Sequence, residues 1–186
     1  MNTYPLQKSL SKAFPNRTVA MAAEIALLLM LGMLAITLHS KLRIPMHLPG
    51  KQGLLFVALV VTGRGLSPLR FAGSITCFGS ALLLLTPWLG FNNPFMAVNY
   101  VMLGGVMDLL YFTAIRFSQK PWILALASGI AWMFIPLFRL IISLFVDMPL
   151  NLFNSGIIYP FLTHLLFGFT GALIGAGILS LVNLRK

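Results

Sequence analysis

Six apolar segments account for most of this chain and restrict the folds it can adopt. Only 9% of the residues are charged, whereas a soluble domain carries about a quarter, so the chain lacks the side chains to cover a soluble surface. A helix crosses the bilayer core with about 20 mainly apolar residues. We therefore predict an all-α polytopic membrane protein, a single membrane domain over residues 1–186 with six transmembrane helices in one bundle. The predicted spans are residues 18–38, 52–66, 69–87, 95–115, 121–146 and 157–183, of which the second is the shortest.

The basic residues between these segments predict the orientation of the bundle. Six spans place both termini on one side of the membrane, and nine of the 13 Lys and Arg residues fall on that side. Because cytoplasmic loops carry an excess of Lys and Arg, both termini are predicted to be cytoplasmic. The nine residues are Lys8, Lys12, Arg17, Arg64, Arg70, Arg116, Lys120, Arg185 and Lys186.

The segment HSKLRIPMHLPGK, residues 39–51, joins the first two predicted spans on the external side. It contains Lys41, Arg43, His47 and Lys51 but no acid, and two prolines stiffen it. Cations on the translocated side run against the positive-inside rule. They are either a remnant without function or part of a site for an anion.

Polar and aromatic residues within the predicted spans lie near the same external side. At about 1.5 Å per residue, Arg139 and His164 lie roughly 10 Å below the outer ends of the fifth and sixth spans. Charged groups at such depth cost roughly 2.5–3.5 kcal/mol on insertion scales and usually mark function. We predict a substrate-binding pocket that opens outward beneath the basic loop. Its predicted residues are Arg139, His164, Asn99 and Trp132 in the spans, with Lys41, Arg43, His47 and Lys51 in the loop.

The predicted pocket residues also have purely structural interpretations, which the sequence leaves open. Arg139 has Asp147 about two turns further along the chain as an ion-pair partner. His164 and Asn99 are suited to hydrogen bonds between neighbouring helices. In that case the polar groups hold the bundle together and bind no ligand.

The remaining ionisable groups fall in the cytoplasmic half of the predicted bundle. We expect Asp108 to pair with a basic residue such as Arg70 or Arg116. We expect Glu24 to lie within reach of Arg17 or another cation at the cytoplasmic face. Cys77, the only cysteine, is predicted to pack in the interior.

Small residues recur at helical spacing in the first and last predicted spans. Ala22 and Ala26 are four residues apart in the first span, and Gly168, Gly171 and Gly175 follow a similar spacing in the last. Such spacing places small residues on one helix face, where another helix approaches closely. The face either packs within the bundle or docks a separate membrane protein.

No motif for catalysis or for a bound cofactor is visible in the sequence. It contains no HExxH, GxSxG or Walker A pattern. A single cysteine excludes an internal disulfide and a Cys-rich metal site. The basic residues form short clusters between apolar segments and no basic groove for nucleic acid. We therefore expect no catalytic residue, metal, cofactor or nucleic-acid partner.

The whole pattern resembles the substrate-binding S components of energy-coupling factor (ECF) transporters, which are small bacterial and archaeal membrane proteins of six helices with cytoplasmic termini. The resemblance covers nearly the entire chain. Ala22-x-x-x-Ala26 looks like the small-residue motif by which that family docks its transmembrane partner, and KLRIPMHLPGKQG is similar to the loop that covers the family's ligand pocket. The short second span followed by GRGLSPLRFAG also looks like the family's second and third helices.

This resemblance implies partners, a location and a mechanism. The partners are a transmembrane coupling subunit and two cytoplasmic ATPases, and the location is the lipid bilayer of a bacterial or archaeal plasma membrane. The implied mechanism is that the loaded subunit topples in the membrane and releases a vitamin-like substrate inside. The cations of the predicted site favour an anionic substrate.

The alternative interpretation is a structural or assembly subunit of a larger membrane complex, without a ligand of its own. A membrane enzyme acting on lipid is a third hypothesis. It is disfavoured because paired acids and metal ligands are missing from the sequence.

Overall fold

The computed structural model describes residues 4–42, 45, 48–90, 95–117, 120–145 and 156–184, and all regular secondary structure in these ranges is helical. The predicted all-α class is therefore confirmed. A short 3-10 turn, Pro87–Leu89, lies between the fourth and fifth helices. The helices are α1 Pro5–Ala13, α2 Arg17–Lys41, α3 Gly53–Leu66, α4 Ala72–Leu84, α5 Phe95–Phe117, α6 Pro121–Ser143 and α7 Ile158–Leu184.

Four helices, α2, α5, α6 and α7, are long and apolar enough to cross a membrane. The second and third predicted spans correspond to shorter helices, because α3 has 14 residues and α4 has 13. At about 1.5 Å per residue they are about 20 Å long, less than the hydrocarbon thickness of about 30 Å. The chain is thus compatible with a multi-pass membrane protein.

The sequence analysis did not predict α1, which precedes the first span. Its nine residues are amphipathic, but they are far fewer than the about 20 that a membrane span requires. Lys8 and Lys12 are exposed on it, whereas Leu6 and Leu10 are partly buried. The start of α2 is fixed by Asn16, whose side chain accepts a hydrogen bond from the backbone N–H of Thr18 at 2.9 Å.

The six helices after α1 form a closed ring in the order α2, α4, α5, α6, α7, α3, with α3 packed again on α2. Buried side chains of every helix in this ring meet in a common core that contains Phe56, Leu103 and Trp132. α3 and α4 contribute many of the fully buried residues, which explains why both are apolar on nearly all sides.

Glycines set the close spacing between neighbouring helices. A methyl group on Gly79 would overlap the backbone carbonyl of Leu29, so α4 lies directly against the backbone of α2. A methyl group on Gly171 would similarly press on the carbonyl of Gly53, where α7 crosses α3. Small residues allow this close approach of helix backbones.

The ring places the two ends of each helix in distinct environments. The last turn of α2 and the first turns of α3, α5 and α7 lie at the end that also holds the last turn of α6. We call this the histidine end, because it contains His39 and His164. The opposite end contains Asp108 and is called the aspartate end; the start of α2 and the last turns of α7 lie there.

Replacing Gly79 by alanine should weaken the α2–α4 contact. We expect Gly79→Ala to lower the free energy of unfolding by about 1–3 kcal/mol, since the added methyl group meets backbone that has no space to move. Thermal unfolding of the detergent-purified protein measures the effect. Gly105→Ala on α5 is the matched control, because nothing lies within 4 Å of the added atom; it should be neutral or stabilising. Equal melting temperatures for both variants would contradict the packing described here.

Candidate functional site

A cavity of about 470 Å³ opens at the histidine end of the ring. This volume lies within the range of about 300–1,000 Å³ that is typical of small-molecule sites. The cavity, called the histidine cavity below, is formed by helices α2, α5, α6 and α7 together with the chain before α3. Its walls are His39, Leu48, Pro49, Gly50, Lys51, Gln52, Met96, Asn99, Tyr100, Trp132, Ile135, Arg139 and His164.

Trp132 connects the walls of the histidine cavity. Its indole N–H donates a hydrogen bond to the carbonyl of Gly50 at 3.2 Å, which ties α6 to the segment before α3. The indole ring stacks with Phe56 and His164 at centroid distances of 5.4 and 6.1 Å. Because Trp132 is only 2% exposed, it holds one fixed position at the base of the cavity.

Two glycines leave the space that Trp132 needs. A methyl group on Gly53 would lie 2.5 Å from the indole nitrogen, and one on Gly168 would lie 2.6 Å from the Cβ of Trp132. Gly50 adopts a positive φ of 78°, a conformation that favours glycine. The local sequence therefore provides both the turn and the slot that position the indole.

The two histidines of the cavity are held by hydrogen bonds. Nδ1 of His164 lies 2.6 Å from the carbonyl oxygen of Pro160, so this nitrogen carries the proton and donates. The other ring nitrogen of a neutral His164 is then an acceptor. Nδ1 of His39 lies 3.2 Å from the hydroxyl of Tyr100. Both rings are thus fixed by the bundle itself.

Asn99 differs from its neighbours because its carbonyl oxygen has no hydrogen-bond partner in the described structure. The residue is 4% exposed, and Oδ1 is fully buried. An unpaired buried acceptor costs about 1–3 kcal/mol, and native structures contain few such groups. Because Oδ1 is inaccessible even to water, Asn99 lines the cavity through its other atoms.

The charged side chains that line the cavity in the described structure are both cations. Arg139 is exposed at the last turns of α6, and Lys51 is half-buried just before α3. No described residue of the lining is acidic. The cavity therefore combines positive charge near its opening with aromatic and apolar walls further in.

The structure brings together five of the eight residues that the sequence analysis assigned to a substrate site. Lys41 is exposed at the last position of α2 and does not line the cavity. Arg43 and His47 lie outside the described residues, as does Asp147, the alternative partner of Arg139. The five residues in the lining are Arg139, His164, Asn99, Trp132 and Lys51.

His39, Gln52, Met96 and Ile135 also line the cavity but were not predicted from the sequence. His39 was assigned to the loop, because the first span was predicted to end at residue 38, whereas α2 continues to Lys41. The sequence feature that could have placed His39 in the cavity is its position one residue past the predicted end of an apolar helix. Gln52 and Ile135 carried no signal of their own.

A second, smaller cavity of about 250 Å³ lies at the aspartate end, next to the buried side chains of Arg64 and Asp108. Nε of Arg64 lies 3.4 Å from the Asp108 carboxylate. The predicted partners of Asp108, Arg70 and Arg116, were therefore wrong. Arg64 was overlooked because it lies only two residues before the end of α3, where the sequence suggests a surface position.

The Asp108 carboxylate is also saturated with hydrogen bonds. The backbone N–H groups of Gly73 and Ser74 donate to it at 3.1 and 2.7 Å, and the Ser74 hydroxyl donates at 2.7 Å. Asp108 thus caps the first turn of α4 from α5, as an anion at a helix N-terminus is expected to do.

Arg64 makes further contacts besides the ion pair with Asp108. Nη1 donates to the Leu69 carbonyl at 3.0 Å, and the guanidinium lies 4.4 Å from the centre of the Tyr111 ring. These contacts fasten the α3–α4 connection to α5. The pair therefore acts as a structural clamp, while Nε of Arg64 makes no hydrogen bond in the described part of the chain.

Glu24 and Cys77, the other groups predicted for the cytoplasmic half, are both buried, and among the described residues Glu24 forms no ion pair with the expected cation. Glu24 is buried and accepts a hydrogen bond from the Ser67 hydroxyl at 2.6 Å. Cys77 is fully buried in the core. Among the described residues, no group of three His, Cys, Asp or Glu side chains is arranged to hold a metal ion.

Ala22 and Ala26 lie on an exposed face of α2. Met21 and Met30 border them and are 48% and 54% exposed. This face does not pack inside the ring, so it contacts lipid or another protein.

Comparisons with known proteins give no relative. No protein-family model matches the chain, and neither a curated protein nor a solved structure matches it significantly.

Removing the charge of Asp108 should destabilise the fold. Asp108→Asn leaves the buried Arg64 cation without a counter-charge, and we expect a loss of about 3–5 kcal/mol in the free energy of unfolding. Arg70→Gln is the control, because Arg70 is exposed and its change should stay within about 0.5 kcal/mol. Thermal and denaturant unfolding in detergent compare the two. A clamp role for Arg64 and Asp108 is incompatible with equal stability of both variants.

Proposed function

We propose that this chain is the membrane-embedded substrate-binding subunit of an ATP-driven importer of the ECF type, and that it captures a small, vitamin-like anionic metabolite from outside the cell. The histidine cavity carries the proposal. It has the volume of a small-molecule site and two cations in its lining, and no described residue of the lining is acidic.

The proposed orientation places the histidine end outside and both termini in the cytoplasm. Lys8, Lys12, Arg17 and most other described cations lie at the aspartate end, and only three lie at the histidine end. An excess of basic residues marks the cytoplasmic side. Under this orientation the cavity faces the medium and the clamp faces the cytosol. The three described cations at the histidine end are Lys41, Lys51 and Arg139.

The proposed six-span topology includes α3 and α4 despite their length. Both helices pack between longer neighbours, so their ends need not reach lipid. The segment before α3 and the turn Pro87–Leu89 after α4 extend their paths at the histidine end. Irregular backbone at membrane depth is tolerated where protein surrounds it.

In the proposed mechanism, ligand is captured beneath the segment that joins α2 and α3. Arg139 and Lys51 attract the anionic group, and Asn99 and His164 hydrogen-bond the remainder. Trp132 anchors this segment to α6, because its indole N–H donates a hydrogen bond to the Gly50 carbonyl. Release of ligand to the inside follows the toppling motion implied by the family resemblance.

The chain has no nucleotide-binding motif, so ATP hydrolysis is assigned to partners. We propose a transmembrane coupling subunit and two cytoplasmic ATPases. The exposed face of α2 around Ala22 and Ala26 is the proposed docking surface for the coupling subunit, because its small side chains allow close helix approach. The competing hypothesis, a ligand-free assembly subunit, uses the same face as a permanent interface.

Mass spectrometry of small molecules extracted from the purified protein tests the proposed function. We expect wild-type protein to release an anionic metabolite in near-equal molar amount. Arg139→Gln should reduce its retention about ten-fold, because charge-assisted hydrogen bonds contribute about 1.5–3 kcal/mol. Lys41→Gln is the matched control, since Lys41 is exposed outside the cavity lining. The assembly-subunit hypothesis would instead be favoured by empty protein that co-purifies with membrane partners.

A further inference from the structure

The buried charges at the aspartate end do not balance. Glu24, Arg64 and Asp108 are all buried, and Arg64 forms its ion pair with Asp108. The Glu24 carboxylate accepts a hydrogen bond from the Ser67 hydroxyl through Oε1, but among the described residues no cation lies within ion-pair distance of it. Both acids are anionic at neutral pH in their ordinary state. Two carboxylates against one guanidinium therefore leave one negative charge, on Glu24, without a counter-charge from the described chain.

The carboxylate of Glu24 borders a cavity of about 340 Å³ that lies between α1, the start of α2 and the α3–α4 connection. We call it the α1 cavity. Oε2 of Glu24 accepts no hydrogen bond from a described residue. It is also not one of the polar atoms that are both unpaired and fully shielded from solvent in the described structure, which are Nε of Arg64 and Oδ1 of Asn99. Oε2 is therefore accessible, and the cavity that Glu24 lines is where a ligand reaches it.

We propose that the α1 cavity binds the headgroup of a phospholipid with a primary ammonium group, of the phosphatidylethanolamine type. The ammonium group donates a hydrogen bond to Oε2 of Glu24, and the phosphate contacts Arg17, an exposed residue of the same lining. This site is separate from the function proposed above and does not depend on it, because the α1 cavity lies at the end of the ring opposite to the histidine cavity.

The spacing of the two charged residues suits a ligand that carries both charges. Arg17 and Glu24 are seven residues apart on α2, which places them on one face of the helix, about two turns or about 10 Å apart. A headgroup in which a short linker joins a phosphate to an amine can contact both side chains. The phosphate would also lie beside the first turn of α2, where the helix dipole favours an anion.

The surroundings of the α1 cavity favour a lipid over a soluble amine. α1 is amphipathic, with both lysines exposed and both leucines partly buried, which is typical of a helix that lies in the membrane interface. α2 starts beside it and is apolar enough to cross the membrane. Further along α2, Met21 and Leu27 are 48% and 39% exposed. The cavity thus lies at headgroup level, with an apolar surface next to it for the acyl chains.

The preference for a primary ammonium follows from the chemistry of the carboxylate. An ionised carboxylate only accepts hydrogen bonds, so the ligand must supply an N–H or O–H donor to Oε2 of Glu24. A primary ammonium provides a charge-assisted hydrogen bond, whereas the quaternary ammonium of phosphatidylcholine has no N–H. The two lipids share the phosphate and the net charge. The α1 cavity is therefore expected to discriminate between them by this hydrogen bond.

Native mass spectrometry of the detergent-purified full chain tests this discrimination. The probes are dioleoyl phosphatidylethanolamine and dioleoyl phosphatidylcholine in equal amounts. Wild type should retain about ten-fold more of the ethanolamine lipid. Glu24→Gln keeps an acceptor oxygen for the Ser67 hydroxyl but removes the charge, so it should retain both lipids equally. Arg70→Gln is the matched control, because Arg70 is an exposed cation outside the lining of the α1 cavity; it should keep the wild-type preference.

Arg17→Gln provides a second variant in case Glu24→Gln does not fold. Arg17 is exposed, so the variant should fold, and its loss of the phosphate contact should lower the retention of both lipids. Equal retention of the two lipids by wild type would overturn the proposal, and would favour a basic side chain of a partner protein as the counter-charge of Glu24. A preference that persists in Glu24→Gln, or unchanged retention in Arg17→Gln, would also overturn it.

Discussion

The contact between Trp132 and the backbone of three glycines is the constraint on which the architecture of the histidine end depends. Gly50 accepts the indole hydrogen bond, and Gly53 and Gly168 leave the space into which the side chain fits. These glycines belong to the segment before α3, to α3 itself and to α7. One side chain of α6 therefore fixes three other parts of the chain relative to each other.

A proline one turn along α6 adds to this arrangement. Pro136 is buried in the helix interior and has no N–H to donate to the carbonyl of Trp132. The regular hydrogen bonding of α6 is thus interrupted beside the cavity, and Arg139 follows at the next turn.

The charged side chains are arranged differently at the two ends of the ring. At the aspartate end, Arg64 and Asp108 neutralise each other and fasten α3, α4 and α5 together. At the histidine end, Arg139 is exposed and lines the cavity, and no described residue of the lining is acidic. Buried paired charges stabilise one arrangement of helices, whereas accessible cations attract an anion. This contrast favours the histidine cavity over the smaller one as the ligand site.

The sequence predicted the all-helical class because long apolar segments leave few alternatives in a membrane. It also predicted that Arg139, His164, Asn99 and Trp132 would converge, since helix rise fixes the depth of each residue once the direction of its span is known. It did not identify Arg64 as the partner of Asp108, because contacts between helices depend on rotation and ring order. The unpaired state of Asn99 was likewise beyond sequence reasoning, since it depends on which neighbours are already bonded.

Cysteine labelling in intact cells tests the central claim, a ligand cavity that faces the outside, most directly. The sole native thiol is buried and is removed by Cys77→Ser. Met96→Cys then places one thiol in the cavity lining. The account predicts that a membrane-impermeant maleimide added to intact cells labels this thiol. Labelling only after the cells are opened, with no reaction from outside, would contradict it.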